Sequence, residues 1–538
     1  MPCKGTPTPC SPLKRLLFRF VLKIFYGSIV VEGTSNIPKT GRPCIVCANH
    51  SNSLTDALLM VASIPAKERN MLRLTAKATQ FGHRTFTSWL IESAGTVPMK
   101  RRKDYTEGES TDNTDVMQHL MEALELGDAI CLFPEGMSRY HPTIAPLKTG
   151  VARLVSDVLT RNRNDPDFEI SILNCSVTYM HRQHFRSDVL VTFHPPMTFT
   201  PKVNPRFILP ADAPTGKEPL MSMCHSNPAQ ISSGTIDSPS WDLVRVAKLA
   251  ARIYVPLGTR MSLGDHVRVV RTFLEAFKAA EDGPVDEEHL EEDEKTPAET
   301  AELAELRLDL NTYQDQLVRW GIKDDRIRRR PLPRHTILSR MIVRLTWSIC
   351  LFAISFPGLM LWIPVFLTTF YAVHNFKKTG PVFDTWDEIA QYKLIYGLFS
   401  GIAVWIGSAL ITFPFTMVTF LLVPALMWMT LRWLEDAVAA FRAFTALLRL
   451  LLVGKPTLRD MHSRREDLHA RVIRLAVQTI GLPEDPEAYF ARQGGKEKGR
   501  VRGRWESGSR YFSIKRRRKR DWNETLRLYD IVDYPKEE

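Results

Sequence analysis

Short apolar runs and helical patterns alternate from Val30 to about Pro196. Val30–Glu32, Pro43–Ala48, Met71–Thr75, Ala129–Phe133, Phe168–Thr178 and Val189–Phe193 read as strands. Thr55–Ala62, Phe86–Ala94 and Asp115–Leu126 read as helices between them. Such alternation predicts an α/β layer architecture around a largely buried sheet. Ahead of it, Leu16, Leu17, Phe20, Val21, Ile24 and Phe25 share one helical face, with Arg19 and Lys23 off it. That pattern suits a helix lying on a membrane surface, or equally one docked on the globular domain.

The pattern changes at Pro205–Trp241, which is rich in Pro, Ser, Gly and Thr and reads as a flexible insertion. Helical periodicity resumes at Trp241–Tyr254, His266–Glu281 and, after the acidic stretch Glu281–Glu299, at Glu302–Trp320. Two uncharged stretches then follow, Leu345–Val373 of 29 residues and Leu394–Leu431 of 38. A span needs roughly 20 apolar residues, so both are transmembrane signals. The second would be roughly 57 Å long as one straight helix, too long for a single crossing. Pro414 and Pro424 offer break points. Basic clusters precede Leu345 and follow Leu431, while the loop His374–Lys393 is close to neutral. The positive-inside rule then puts both flanks on the cytosolic side and the loop opposite, with two crossings and a kinked second element.

The expected organisation is therefore an interfacial segment at 1–29, a catalytic-type domain at 30–280 with its insertion at 205–240, and an acidic-to-basic helical linker at 281–344. A membrane region at 345–431 and a basic cytosolic tail at 432–538 complete it. The 538 residues carry a net charge of +12 and a pI near 9.3, which suits an anionic lipid or a phosphate-bearing ligand. The tail run Lys515–Arg520 reads better as a lipid-facing or solvated patch than as a nuclear signal beside two membrane segments. Eight scattered cysteines give no disulfide framework. Cys44 and Cys47 form a lone CxxC without a second ligand pair, so no metal site is expected.

Two polar motifs follow strand-like runs. Asn49-His50-Ser51-Asn52-Ser53-Leu54-Thr55-Asp56 follows Pro43–Ala48. A histidine with a nearby carboxylate is the arrangement for a general base and its orienting partner. On one helix, six residues turn about 600°, so the two side chains would diverge. They meet only if His50 lies in a turn and the helix begins near Ser53–Asp56. Phe133-Pro134-Glu135-Gly136-Met137-Ser138-Arg139 follows Ala129–Phe133, with a glycine that permits a tight turn. Between them, Gly95 to Lys103 ends in four cations, Lys100 to Lys103, able to clamp a phosphate or simply to be solvated.

In this order the motifs resemble the membrane-bound glycerolipid acyltransferases. His50 and Asp56 match the family's first block, Gly95–Arg101 the second, Phe133–Gly136 the third and Ile170–Thr178 the fourth. Val31-Glu32-Gly33 and Asn36-Ile37-Pro38 match the lead-in strand and turn. Ser171–His181 and His184–Ser187 look like the fungal glycerol-3-phosphate/dihydroxyacetone-phosphate acyltransferases, as do Thr75-Ala76-Lys77, Pro146–Ala152 and Arg252–Pro256. Five residues separate His50 from Asp56 where the wider family has four, a spacing the fungal branch shares. Met137-Ser138 stands where Thr-Arg often follows the third block, and Asn174 where the fourth block commonly has proline.

The resemblance implies an α/β acyltransferase domain, a mixed sheet flanked by helices, with C-terminal transmembrane helices. It implies acyl transfer from acyl-coenzyme A to the sn-1 hydroxyl of glycerol-3-phosphate or dihydroxyacetone phosphate, the first step of phosphatidic acid synthesis. His50 would be the base and Asp56 its orienter. Arg101, Glu135 and Gly136, with Ser138 and Arg139, would hold the acceptor. No cofactor or metal is implied beyond the co-substrate acyl-coenzyme A, and no nucleic acid. The expected location is the endoplasmic reticulum membrane, multi-pass with a cytosolic catalytic domain, or the lipid droplet. A lysophosphatidate acyltransferase and a catalytically silent membrane scaffold are the competing readings.

Overall fold

The computed structural model describes residues 11–492, apart from 70–71, 85–87, 89–90, 93–95, 101–112, 183, 209–229, 256–258, 260, 280–296, 329–332 and 382–384. It divides into two compact units. One holds the described residues through Thr235 together with Thr379–Leu394. The other holds Ile236–Lys378 and the described residues from Ile395 onward.

The first unit runs α1 (Ser11–Phe25), β1 (Ser28–Glu32), β2 (Cys44–Ala48), α2 (Leu54–Ser63), β3 (Arg73–Lys77), β4 (Val97–Met99), α3 (Thr114–Glu125), β5 (Ala129–Leu132), α4 (Gly150–Arg161), β6 (Ile170–Tyr179), β7 (Asp188–Phe193) and β8 (Met197–Phe199). The strands form one mixed sheet in the order β1-β7-β6-β2-β5-β3-β4, with β8 also on β6. β6, β2, β5, β3 and β4 are mutually parallel, and β7 runs antiparallel to β6. β2 sits between β5 and β6 and is buried at all five positions, which its unbroken apolar sequence requires.

Each face of the sheet has its own core. Phe18 and Leu22 of α1 and Leu59 and Met60 of α2 pack on Cys44, Val46 and Cys131. Leu120 and Leu124 of α3 and Val155 and Leu159 of α4 pack on Ile45, Cys47 and Ile130. Cys44 and Cys47, three apart on a strand, therefore face opposite sides. Burial pushes the Cys44 thiol up to about 12 and the Cys47 thiol well up too. α1 docks through Phe18, Leu22 and Phe25 and leaves Leu16 and Phe20 exposed. The expected helix at Phe86–Ala94 lies largely outside the described residues.

In the second unit, α5 (Trp241–Tyr254), α6 (Leu263–Ala279), α7 (Pro297–Trp320), α8 (Asp324–Arg328) and α12 (Lys455–Arg474) share a core through Leu249, Phe273, Leu310, Ile327 and Leu468. The first two of these helices fall inside the expected domain at 30–280. The last falls in the expected tail, where leucine and valine at Leu468 and Val472 are buried. Residues 493–538, including Lys515–Arg520, lie outside the described residues.

Between α8 and α12 run α9 (Arg334–Phe376), α10 (Ile389–Ile411) and α11 (Thr416–Val453). α9 and α10 are each long and apolar enough to cross a membrane, which marks the chain as a membrane protein. α11 and the following helix, bent by 105°, pass the same test together. α9 and α11 pack along each other, with Ser348 Oγ donating to the Ala437 carbonyl and Trp362 Nε1 to that of Met427. The break in the second apolar stretch falls at Pro414, while Pro424 remains inside α11.

The segment between the apolar stretches packs on the first unit. Residues Thr379–Leu394 belong to it, with Ala390 and Leu394 buried in its core. Burial of those apolar side chains holds the segment there.

Candidate active site

The C-terminal ends of three adjacent parallel strands, β6, β2 and β5, meet at one edge of the sheet. In open α/β sheets this edge is where ligands bind. β2 delivers Asn49, whose side chain donates to the Val177 carbonyl and accepts from the Val177 amide. This amide-to-backbone pair continues the ladder past Ala48 and fixes where His50 starts.

The chain then turns back on itself. His50 Nδ1 lies 2.9 Å from Asp56 Oδ2. The Ser51 and Asn52 amides donate to the same oxygen at 2.9 and 2.7 Å, and Tyr179 Oη donates to Asp56 Oδ1 at 2.5 Å. Asp56 is fully buried, and these donors occupy both of its oxygens. Burial, reinforced by the Asp56 charge, pushes the Tyr179 phenol well up, so it remains a donor. With Asp56 accepting from Nδ1–H, the ring's Nε2 is left as the proton acceptor. The His50 side chain is 19% exposed and stacks on Phe133 at 4.2 Å between centroids.

The turn requires an unusual residue. Ser53 has φ 46 and ψ −130, outside the favoured regions for a residue with a side chain. Such a conformation costs roughly 1–3 kcal/mol and persists only where its surroundings hold it. Its amide donates to Ser138 Oγ at 2.9 Å, and its Oγ donates to Gln391 Oε1 at 3.1 Å. The Leu54 amide, which opens α2, donates to the same Gln391 oxygen at 3.3 Å.

The second motif braces the first. Glu135 Oε1 accepts from the His50 amide at 2.5 Å and Oε2 from the Ala145 amide at 3.1 Å. Burial pushes the Glu135 carboxyl up, and the two amides pull it back. Both oxygens are thus engaged with backbone. Gly136 has φ 71, and a Cβ there would lie 2.4 Å from the Lys148 ammonium. Lys148 is itself exposed, so a cation stands at the mouth of this turn. Ser138 holds Ser53 and bonds the Asp387 carboxylate. The Arg139 carbonyl accepts from Arg182, and its Nε has no partner among the described residues. Arg101 lies outside the described residues.

His50, Asp56, Glu135, Gly136 and Ser138 thus converge. The motifs alone did not indicate Asn52, Tyr179, Lys148, Asp387 or Gln391. Asp387 is 3% exposed, and its Oδ1 has no hydrogen-bond partner among the described residues. Burial raises its pKa, opposed by the Ser138 bond and by His50, with Asp56 adding to the rise. Among the described residues no group of three or more His, Cys, Asp or Glu could hold a metal ion.

Residues 28–177 match the sequence model of a family described as Acyltransferase. Residues 246–380 match one described as Glycerol-3-phosphate acyltransferase 2 C-terminal domain. Glycerol-3-phosphate O-acyltransferase 2 of Saccharomyces cerevisiae is 21% identical over 486 residues, covering 71% of this chain and 62% of that protein. An uncharacterized acyltransferase of Schizosaccharomyces pombe is 22% identical over 465 residues, covering 71% and 65%. Glycerol-3-phosphate O-acyltransferase 1 of Saccharomyces cerevisiae is 22% identical over 316 residues, covering 57% and 39%. The chain spans less than two thirds of the length of each.

Proposed function

We propose that this chain, whose residues 28–177 match the sequence model of an acyltransferase family, transfers an acyl group from acyl-coenzyme A to the sn-1 hydroxyl of glycerol-3-phosphate, with dihydroxyacetone phosphate as a second acceptor. The single observation that carries the reading is the His50–Asp56 pair, with Asp56 saturated by four donors and the His50 ring open on its other side. His50 Nε2 takes the hydroxyl proton as the oxygen attacks the thioester carbonyl. The C–S bond then breaks, and the departing thiolate takes the proton from the imidazolium. Ester and free coenzyme A result, with no covalent enzyme intermediate. Asp56 stabilises the transient cation and holds the ring.

Two of the relatives are glycerol-3-phosphate O-acyltransferases by name, which supports glycerol-3-phosphate as acceptor. In this reading Arg101 and Lys148 face the acceptor phosphate, Gly136 leaves it room, and Arg139 backs the same wall. Glu135 and Ser138 shape the wall by holding His50 and Ser53. No metal or cofactor takes part, and acyl-coenzyme A is a co-substrate. The enzyme sits in the endoplasmic reticulum membrane with its catalytic domain in the cytosol.

The test is purified full-length protein assayed with labelled acyl-coenzyme A against glycerol-3-phosphate, dihydroxyacetone phosphate and lysophosphatidate. Acylation of the first two acceptors supports the reading. Acylation of lysophosphatidate alone replaces it with the lysophosphatidate acyltransferase reading, and transfer to none leaves a scaffold.

A further inference from the structure

We infer that the segment Thr385–Gln391, which leads into and opens α10 after the apolar helix α9, is part of the catalytic apparatus: Gln391 and Asp387 hold the His50–Asp56 turn in register. The inference rests on the acyl-transfer reading above. Ser53 is one of two non-glycine residues with positive φ among those described, and it stands between the Asn52 amide and α2. The Ser51 and Asn52 amides on one side of it, and Asp56 on the other, must close onto each other for His50 to be oriented. A residue that avoids this conformation stays in it only under constraint. The constraints here come from outside the turn. Gln391 accepts from both Ser53 Oγ and the Leu54 amide. Asp387 accepts from Ser138, whose oxygen accepts from the Ser53 amide.

The segment is seated by its own packing. Trp386 meets Tyr140 edge to face at 5.5 Å, and Ala390 is fully buried in the first unit's core. Its distance along the chain from Ser53 is 338 residues, so sequence proximity plays no part. Gln391 and Asp387 touch no reacting atom in this arrangement. They are positioning residues acting through Ser53 and Ser138.

A consequence for the membrane follows. A segment that clasps the catalytic turn lies on the catalytic side of the bilayer. An even number of crossings, zero included, therefore separates Thr235 from Thr379, a stretch in which α9 is the one candidate span among the described residues.

The experiment uses the full chain and both substrates. Gln391→Leu removes the acceptor, and Gln391→Glu keeps one that suits an O–H and an N–H donor. Misplacement of a catalytic pair by about 1 Å costs up to about 100-fold. The Leu variant should lose about 10- to 100-fold in kcat with both KM values within about two-fold, and the Glu variant should recover most of that loss. In a Ser53→Gly background the Leu effect should shrink, because glycine adopts positive φ without being held. Wild-type kcat per folded molecule in the Leu variant, with only Tm lowered, overturns the inference. So does an undiminished effect in the glycine background. If the Leu variant does not fold, Asp387→Ala supplies the same readout and should also lower kcat. A wild-type protein that acylates nothing would sink the functional reading instead. The placement is then still decided by an epitope after Gly380 and one at Lys202–Val203 in sealed membranes. Shared sidedness supports the segment's place, and opposite sidedness overturns it.

Discussion

Both units bury an aspartate whose charge is fully satisfied, and only one of the two makes a site. In the second unit Asp324 is 2% exposed and takes Arg465 Nε at 2.8 Å, Arg465 Nη2 at 3.1 Å and Tyr313 Oη at 2.9 Å. In the first, Asp56 takes an imidazole, two amides and a phenol. The guanidinium beside Asp324 has no lone pair to accept a proton, so the network ends there. The imidazole beside Asp56 has one nitrogen anchored and one open. The histidines show the same contrast. Burial, reinforced by Arg252 and Lys248, depresses the His266 pKa to about 3, and the ring is sealed in a helical core. His50 is anchored and still reachable. A buried charge marks a site only where the partner it orients has chemistry left to do.

The sharpest way to break this contrast is to exchange the aspartates' consequences. Asp56→Asn removes the orienting charge at nearly constant shape, and kcat should fall by about 10²–10⁴-fold. Arg465→Ala leaves Asp324 buried and unpaired, so stability should fall by about 3–5 kcal/mol. Chemical denaturation would show that loss, while kcat per folded molecule stays within a few-fold of wild type. If Arg465→Ala instead abolished turnover in folded protein, the two aspartates would not differ as described.

Arg101 tests the acceptor side. A guanidinium grips phosphate with two parallel bonds that an ammonium cannot reproduce. Arg101→Lys should raise KM for glycerol-3-phosphate by about ten-fold, roughly one lost charge-assisted bond, and leave that for acyl-coenzyme A nearly unchanged. Steady-state kinetics with each substrate varied in turn would show it. A change in the acyl-coenzyme A KM alone would assign the basic run to the donor's phosphates.

The smallest effect concerns His266. Its unfolded value is 6.5 and its folded value about 3. Below pH 6.5 the unfolded chain gains a proton that the folded chain refuses. This component of stability is therefore complete above pH 6.5 and declines as the pH falls toward 3. His266→Gln should flatten the denaturation midpoint against pH over that window. An unchanged slope would place the ring in contact with solvent.

The polar and apolar pattern made the sheet legible because buried parallel strands must be apolar throughout. Pro43–Ala48 and Ala129–Phe133 were readable for that reason, and the motif after each fell at a strand end. What linked them was not readable. His50 and Glu135 are 85 residues apart and touch only because β2 and β5 are neighbours. Tyr179 falls within the stretch Ser171–His181 that carries the family resemblance, yet the ten-residue length of β6 carries its hydroxyl to Asp56. α4 was missed although Val151, Leu154, Val155 and Val158 have helical spacing, because its start was read as motif rather than periodicity. Asp387 enters the sequence reading only through the near-neutral charge of the loop His374–Lys393, and a count of charges carries no information about burial. Gln391 had no local signal at all.

The central claim is that His50, oriented by Asp56, is the base that deprotonates the acceptor hydroxyl. Its most direct test is the rate of labelled acyl transfer to glycerol-3-phosphate by purified full-length His50→Ala beside wild type, with folding checked by an independent probe. The account predicts a fall in kcat of at least about 10²-fold in a folded protein. Turnover near that of wild type would contradict it.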